Sequence, residues 1–274
     1  MMLYRTPVLL VIPLLLLSFT SKAQMEADKG WNLIWADEFD GSGMPDESKW
    51  TYEVGDGCPQ LCGFGNNEKQ NYTKARPENV RVNNGKLIIQ AHKEKWEDSE
   101  YTSAKLVSKP SGSWKYGKIE VKAKLPEGRG VWPAIWMMPT NKAYGSWPKS
   151  GEIDIMEHVG YMKDSIYGTV HTEAFNHVQG TQKGGQVFKD KLSEQYHVYG
   201  IEWEENKIDF LVDGIPYFTF EKSADRSAEW PFDQEFYLIL NVAVGGNWGG
   251  KHGIDPDIWP QKMEIEYVRI FQKQ

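Results

Sequence analysis

The stretch that decides the fold class is Gly117-Lys-Ile-Glu-Val-Lys-Ala-Lys-Leu125, in which apolar and charged residues alternate strictly. Successive side chains of a β-strand point to opposite faces. One face of this segment therefore carries the apolar side chains of Ile119, Val121, Ala123 and Leu125, and the other carries the lysines and the glutamate. The pattern predicts a strand with one buried face and one solvated face.

Other segments carry the same kind of signal. Met263-Glu-Ile-Glu-Tyr-Val-Arg-Ile270 alternates in a similar way, and residues 236–244 form a nearly continuous apolar run that indicates a strand buried on both faces. Two hairpins are predicted, one around Asp213-Gly214 and one around Asn84-Gly85. Asp-Gly supplies the positive φ angles that a type I′ turn requires.

The composition limits the classes of protein to consider. The chain has 274 residues, of which 40% are hydrophobic and 13% aromatic, and these fractions exclude a disordered tail and a collagen-like fibre. Its 26 glycines and 14 prolines are spread along the chain, as expected for many short strands joined by turns. We therefore predict one all-β domain, a sandwich or a barrel, over residues 25–274. The net charge of −7 and the absence of a Lys/Arg run argue against a nucleic-acid partner.

The N-terminal residues are typical of a secretory signal peptide. Arg5 precedes an apolar stretch from Val8 to Phe19, and Ser21-Lys-Ala23 has small residues at the positions that a cleavage site needs. We expect residues 1–24 to be removed and the remaining chain, a monomer without membrane contact, to be secreted, periplasmic or on the cell surface. An uncleaved membrane anchor is the alternative, although the apolar stretch is short for a span.

The cysteines leave two interpretations open. Cys58 and Cys62 are too few for a disulfide scaffold or a four-thiolate zinc site, and their spacing differs from a redox CxxC motif. In an oxidising compartment they could close a small disulfide loop, but the geometry that decides this is not visible in the sequence.

The most informative segment is Gly151-Glu-Ile-Asp-Ile-Met-Glu-His158. In a strand, Glu152 and Asp154 share a face and lie about 6.6 Å apart, at ~3.3 Å per residue. Strict alternation would put Glu157 on the opposite, apolar face, where burial of its charge is costly. A one-residue bulge near Ile155-Met156 would return Glu157 to the face of the other two acids.

Clustered carboxyl groups are what glycoside hydrolysis uses. A retaining enzyme places two of them about 5–5.5 Å apart, one as nucleophile and one as acid/base. Mutual repulsion raises at least one pKa, which favours a protonated acid at neutral pH. The alternative is a solvated strand face that carries three acids. Tryptophans in neighbouring segments offer flat faces for sugar rings: Trp132, Trp136, Trp147 and Trp248. Trp35, Trp50 and Trp203 are expected to pack in the core or in loops.

The acidic segment resembles the active-site strand of glycoside hydrolase family 16, and its Met-containing form resembles the laminarinase-type branch. Further matching blocks follow the family's order along residues 30–272. They are Trp35-Ala-Asp-Glu-Phe-Asp-Gly41, Asn66-Asn-Glu-Lys-Gln-Asn-Tyr-Thr73 with Arg76 and Glu78-Asn-Val80, Gly130-Val-Trp-Pro-Ala-Ile-Trp-Met137, and Asn241-Val-Ala-Val-Gly-Gly-Asn-Trp248.

The resemblance implies a β-jelly-roll sandwich of two antiparallel sheets with a concave substrate cleft. It implies Glu152 as nucleophile, Asp154 as assisting acid, Glu157 as acid/base, and retention of anomeric configuration. The substrate-binding residues that it implies are Trp132, Trp136 and Trp147 as stacking platforms, Asn67 and Arg76 as hydrogen-bonding partners of sugar hydroxyls, and His171 and Trp248 as further cleft residues. A core histidine is the alternative for His171.

The resemblance also implies a structural calcium away from the cleft. Glu38, the carbonyl of Gly85 and Glu266 stand at the matching positions, and oxygen ligands suit calcium. We expect no cofactor for catalysis, since the sequence has no His/Cys cluster typical of a catalytic metal.

These features together predict a secreted endo-β-1,3- or β-1,3(4)-glucanase whose partner is a β-glucan polysaccharide. A galactan hydrolase of the agarase kind and a non-catalytic glucan-binding module are the alternatives. The complete acid set separates an enzyme from a binding module, because a module that only binds has no use for three acids in one place.

Overall fold

The computed structural model describes residues 30–273 as two β-sheets with one hydrophobic core. The predicted signal peptide, residues 1–24, lies outside the described residues. The only helical turn in the described part is a 3₁₀ segment at Cys62–Gly65. The strands, in chain order, are β1 (Trp31–Asp37), β2 (Thr51–Tyr52), β3 (Gln70–Tyr72), β4 (Val80–Val82), β5 (Leu87–Trp96), β6 (Ser99–Ser103), β7 (Lys105–Val107), β8 (Gly117–Lys124), β9 (Val131–Pro139), β10 (Glu152–Glu157), β11 (Ser165–His171), β12 (Lys183–Phe188), β13 (His197–Trp203), β14 (Lys207–Val212), β15 (Ile215–Glu221), β16 (Phe236–Val244) and β17 (Gln261–Lys273).

The two sheets form the predicted sandwich. The ten-stranded sheet has the order β15-β14-β13-β8-β17-β5-β6-β3, with β1 on β17 and β4 on β5. The seven-stranded sheet has the order β12-β11-β10-β9-β16-β7-β2. Pairing is antiparallel except between β3 and β6, which corrects the prediction of purely antiparallel sheets. Residues 73–98 separate these two strands, which is long enough for the crossover that a parallel pair needs.

The strand that decided the fold class has the predicted two faces. Ile119, Val121 and Ala123 on β8 are fully buried, while the charged residues between them are half-buried. On β16, every residue is buried, as the apolar run predicted. The core between the two sheets, to which both strands contribute, also contains Trp50 and Trp203, and Trp35 packs against its edge. All three tryptophans therefore pack as expected.

Strand β17 departs from the simple alternation predicted for residues 263–270. Its pairing with β8 shifts register between Ile265 and Tyr267. The shift turns Val268 and Ile270 into the core and leaves Tyr267 half-buried. A bulge of this kind reverses the facing of every later side chain, so the period-two pattern holds only on each side of it.

The turn predictions are confirmed. Asp213 and Gly214 have φ angles of 52° and 74° between β14 and β15, and Asn84 and Gly85 have φ angles of 53° and 70° between β4 and β5. Both pairs thus occupy the left-handed region that a type I′ turn requires at its two central positions.

Cys58 and Cys62 form a disulfide, which is one of the two interpretations that the sequence left open. It closes a short loop before the 3₁₀ segment. Within residues 30–273, no helix has the length and apolar character that a membrane span requires.

Candidate active site

The bulge predicted from the acidic segment lies in the middle of β10. The partners of Asp154 are Trp136 on β9 and Thr169 on β11, and on both sides the register then shifts by one residue before Glu157. Ile155 is the extra residue opposite β9. Because of it, Ile153, Ile155 and Met156 are all buried in the core. The three acids share the opposite face of the sheet, the face turned away from the core.

Each of the outer two acids accepts a hydrogen bond from an indole. Trp147 Nε1 donates to Glu152 Oε2 at 2.9 Å, and Trp132 Nε1 donates to Glu157 Oε1 at 3.1 Å. These bonds fix each carboxyl group relative to a flat aromatic ring. The predicted site residues Trp132 and Trp147 therefore lie beside the acids.

His171 lies across from the acids on β11, in register with Glu152. Its Nε2 is 3.3 Å from Asp154 Oδ2 and 3.7 Å from Glu152 Oε1. The imidazole is only 6% exposed, but its partners are carboxylates and not core side chains. The geometry thus favours the cleft interpretation of His171 over that of a core histidine.

The environment raises the pKa of all three acids. For Glu152, burial and the adjacent Asp154 raise the pKa to about 8, against the opposing effects of His171 and of the Trp147 hydrogen bond. For Glu157, burial raises the pKa well above its usual range, and the negative charge of Asp154 adds to this. Burial also raises the pKa of Asp154. Each of the three acids therefore holds a proton more readily than it would in water.

Further aromatic rings surround the acids. Trp248 packs edge-on against Trp132 at 5.6 Å and against Tyr167 at 5.0 Å. The ring of His177 lies 5.0 Å from that of Trp147. Tyr167 and His177 were not predicted. Alternation back from His171 places Tyr167 on the same face and could have identified it, whereas the loop position of His177 has no such signal.

Asn67 and Trp136 are held by polar contacts to other loops and strands. Asn67 Nδ2 donates to Asn247 Oδ1 at 2.7 Å, which ties the loop after the 3₁₀ segment to the loop that carries Trp248. Trp136 Nε1 donates to Asn241 Oδ1 at 2.7 Å, from β9 to the neighbouring β16. Trp136 is in register with Asp154, so its ring lies next to the acid cluster.

Arg76 belongs to a different set of contacts. Its guanidinium forms two hydrogen bonds to Glu94, bonds to Asn79, and lies over the ring of Trp96 at 4.9 Å. These partners lie on or next to β4 and β5, in the ten-stranded sheet. Arg76 is thus fully engaged by protein groups, and its role as a sugar ligand stays a prediction.

Two of the three residues predicted to hold calcium are engaged in ion pairs, and a calcium site there stays a prediction. Both oxygens of Glu38 accept hydrogen bonds from Arg269, at 2.8 and 2.9 Å, and Glu266 pairs with Lys122 at 2.8 Å. Each acid already has a cationic partner that calcium would have to displace. Within residues 30–273, one group of three His, Cys, Asp or Glu residues could hold a metal, namely Glu152, Asp154 and His171, whose ligand atoms lie within 4.8 Å of one another.

Comparison with known proteins agrees with this geometry. Residues 67–269 match the model of glycosyl hydrolases family 16. The chain is 51% identical over 249 residues to a beta-glucanase of Rhodothermus marinus, covering 88% of this chain and 85% of that protein. It is 40% identical over 259 residues to a glucan endo-1,3-beta-glucosidase of Cryptopygus antarcticus, covering 89% and 93%.

The fold is similar to solved structures of the same family. The X-ray structure of the laminarinase from Rhodothermus marinus superposes with a TM-score of 0.85 at 49% identity, covering 89% of this chain and 98% of that one. The jelly-roll sandwich predicted from the sequence is therefore confirmed. From the family match, the relatives and the bulged strand of three acids, we conclude that this chain belongs to glycosyl hydrolases family 16.

Proposed function

We propose that the protein is an endo-acting β-glucanase that hydrolyses β-1,3-linked glucans, mixed-linkage β-1,3-1,4-glucans or both, with retention of configuration. The observation that carries the proposal is the bulge in β10, which brings Glu152, Asp154 and Glu157 to one face. Burying three acids together lowers the stability of the fold, and a cost of this kind is typical of an active site. The names of the related glucanases support the choice of glucan as substrate.

In the first step, the Glu152 carboxylate attacks the anomeric carbon and the glycosidic C–O bond breaks. Glu157 gives its proton to the departing oxygen, so the shorter glucan leaves as an alcohol. In the second step, Glu157 takes a proton from water, and the resulting hydroxide displaces Glu152 from the anomeric carbon. Both carboxyl groups then return to their starting protonation states.

The surroundings of the acids suit these roles. Burial and the negative charges of Asp154 and Glu152 raise the pKa of Glu157, which favours a proton on the group that must donate it. The Trp147 hydrogen bond and the nearby His171 favour the ionised form of Glu152. Asp154 lies between the other two acids along β10, and its negative charge raises the pKa of both.

Trp132, Trp136, Trp147 and Trp248 would offer their rings to glucose units, with Asn67 beside them. A structural calcium held by Glu38, the Gly85 carbonyl and Glu266 is also proposed, and it would compete with Arg269 and Lys122 for the two carboxylates. We also propose export through residues 1–24 and a monomeric mature chain. The N-terminal mass of the protein purified from a host that exports it, together with its mass in solution, tests both points.

Release of reducing ends from laminarin, barley mixed-linkage glucan and agarose, measured side by side, tests the substrate. Glu152→Gln serves as the blank. We expect release from at least one of the two β-glucans and none from agarose. Release from agarose alone would replace the proposal with a galactan hydrolase, and tight glucan binding without any release would replace it with a binding module.

A further inference from the structure

A buried lysine lies beside the proposed site and has no role in the hydrolysis described above. Lys105 on β7 is only 5% exposed. Its Nζ pairs with Glu53 Oε2 at 2.8 Å, and the same atom lies 4.7 Å from the centre of the Trp136 ring and 4.9 Å from that of Phe64. A single ammonium group thus contacts one carboxylate and two aromatic rings.

The Trp136 indole is held at two points by this arrangement. Its Nε1 is fixed by Asn241, whose amide in turn donates to the Tyr72 hydroxyl at 3.0 Å. Its ring is held by the charge of Lys105, and a cation over an indole at this distance is attractive. Asn241 and Lys105 are themselves partners across β16 and β7. Removal of either contact would free the ring to tilt.

Phe64, the other ring beside Lys105, lies two residues after the disulfide-closed loop. It follows directly on the Cys58–Cys62 bond in the 3₁₀ segment and has a φ of 52°. Backbone bonds close the loop, from Leu61 to the Gly57 carbonyl at 2.7 Å and from Gly63 to the Asp56 carbonyl at 2.8 Å. Position and conformation of Phe64 therefore depend on a loop that the disulfide constrains.

We propose that Lys105 is a positioning residue that couples the disulfide-closed loop to the Trp136 platform, and that this coupling sets the affinity for glucan at that part of the cleft. The inference rests on the proposed function, in that glucan is taken as the ligand of Trp136. Lys105 does not touch the reacting atoms in this account. Its charge also lowers the pKa of Glu152, but this is the weakest of the influences on that carboxyl group, so we expect its main effect on binding, through the indole.

Two substitutions and a matched control test the role of Lys105. Lys105→Met keeps the length of the side chain and removes its charge, whereas Lys105→Arg keeps the charge and the ability to stack. Lys122→Met removes an ion pair of the same 2.8 Å length from the ten-stranded sheet. We expect Lys105→Met to raise the KM for laminarin about fivefold, with kcat within about twofold. Lys105→Arg should stay near the wild type, and so should Lys122→Met.

A double-mutant cycle tests the coupling itself. Replacement of both Cys58 and Cys62 by Ser should raise KM as well, and combining it with Lys105→Met should add little, because both changes break the same chain of contacts. Effects that multiply would overturn the coupling. An unchanged KM in Lys105→Met would also overturn it.

A readout that does not need activity separates this inference from the proposed function. With 5-fluorotryptophan incorporated, the ¹⁹F resonance of Trp136, assigned by its loss in Trp136→Phe, should shift in both Lys105→Met and the cysteine variant. A fixed resonance would contradict the coupling. If the resonance shifts in the variants but the wild-type protein cleaves no glucan, the proposed function is refuted and the structural coupling stands.

Discussion

The three acids of β10 differ in what surrounds each of them. Glu152 accepts from Trp147 and lies 3.7 Å from His171, whereas Glu157 accepts from Trp132 alone among the contacts found in the described residues. Burial and Asp154 raise the pKa of both glutamates, but Lys105 lowers the pKa of Glu152, whereas the charge of Glu152 raises the pKa of Glu157 further. Two residues of the same type thus acquire different chemistry from their neighbours.

This difference predicts how the two glutamines would behave. Glu157→Gln removes proton donation, so it should reduce kcat by about 10²–10⁴-fold on glucan and much less on an aryl glycoside whose leaving group needs no proton. Glu152→Gln removes the nucleophile and should be nearly inactive on both. Steady-state kinetics on the two substrates check this, and equal residual activities of the two variants on both would contradict the assigned roles.

The contacts of Arg76 indicate a structural role, whereas the sequence resemblance implies a sugar-binding role. Its ion pair with Glu94, which lowers the pKa of that carboxyl to about 2, indicates a structural role. Arg76→Met should therefore lower the free energy of unfolding by about 1–3 kcal/mol and leave the KM for laminarin unchanged. Chemical denaturation and kinetics on one preparation distinguish the roles. A raised KM with unchanged stability would restore Arg76 as a sugar ligand.

At the scale of elements, β10 depends on one extra residue. With Ile155 in place, two successive apolar side chains enter the core, and Glu157 emerges on the face of the other acids. If the same six residues formed a regular strand without the bulge, period-two alternation would bury Glu157 among apolar residues. The bulge is thus the local feature on which the geometry of the whole site depends.

Deletion of Ile155 tests whether a shared face of the three acids is sufficient. The shortened strand Glu-Ile-Asp-Met-Glu alternates strictly and keeps Glu152, Asp154 and Glu157 on one face, so the variant should keep glucan hydrolysis. It should be destabilised by about 2–5 kcal/mol, because it removes an apolar side chain from the core. Ile155→Val, which keeps the bulge, should cost only about 0.5–1.5 kcal/mol and keep its activity. A deletion variant that folds but no longer cleaves laminarin would contradict this, and would show that a shared face is not sufficient without the bulged geometry.

At the scale of the whole molecule, the acid cluster makes stability depend on pH. The pKa of Glu152 is 4.5 without the surrounding structure and about 8 within it, so the folded protein binds the proton more tightly. Between these two pH values the folded state holds more protons than the unfolded state, and stability therefore falls as pH rises. The cluster is thus most costly to the fold at the pH where Glu152 is ionised.

Glu152→Gln should remove part of this cost. We expect its Tm to exceed that of the wild type by about 2–4 °C at pH 8 and to equal it near pH 4. Thermal unfolding at both pH values is the measurement, with the exposed Glu205→Gln as the control. A Tm difference that is the same at both pH values would show that ionisation of Glu152 is not its cause.

Features that depend on neighbouring residues could be predicted from the sequence, whereas most features that depend on long-range contacts could not. The alternation of β8, the type I′ turns and the bulge in β10 follow from neighbouring residues and were all predicted. The bulge in β17 was missed, because Tyr267 suits either face of a strand. The Arg76–Glu94 pair and the buried Lys105 depend on segments brought together by folding, which no short-range pattern encodes. The disulfide joins residues only four apart, but its formation depends on the geometry of that loop.

We propose that the acids on one face of β10 carry out a double displacement on a β-linked glucan. The most direct test is ¹H NMR of the reducing ends as laminarin or mixed-linkage glucan is cleaved, recorded before the anomers equilibrate. We predict that the β-anomer forms first and that the α-anomer grows in only by mutarotation. Initial formation of the α-anomer would mean a single displacement by water, and would contradict the role of Glu152 as nucleophile.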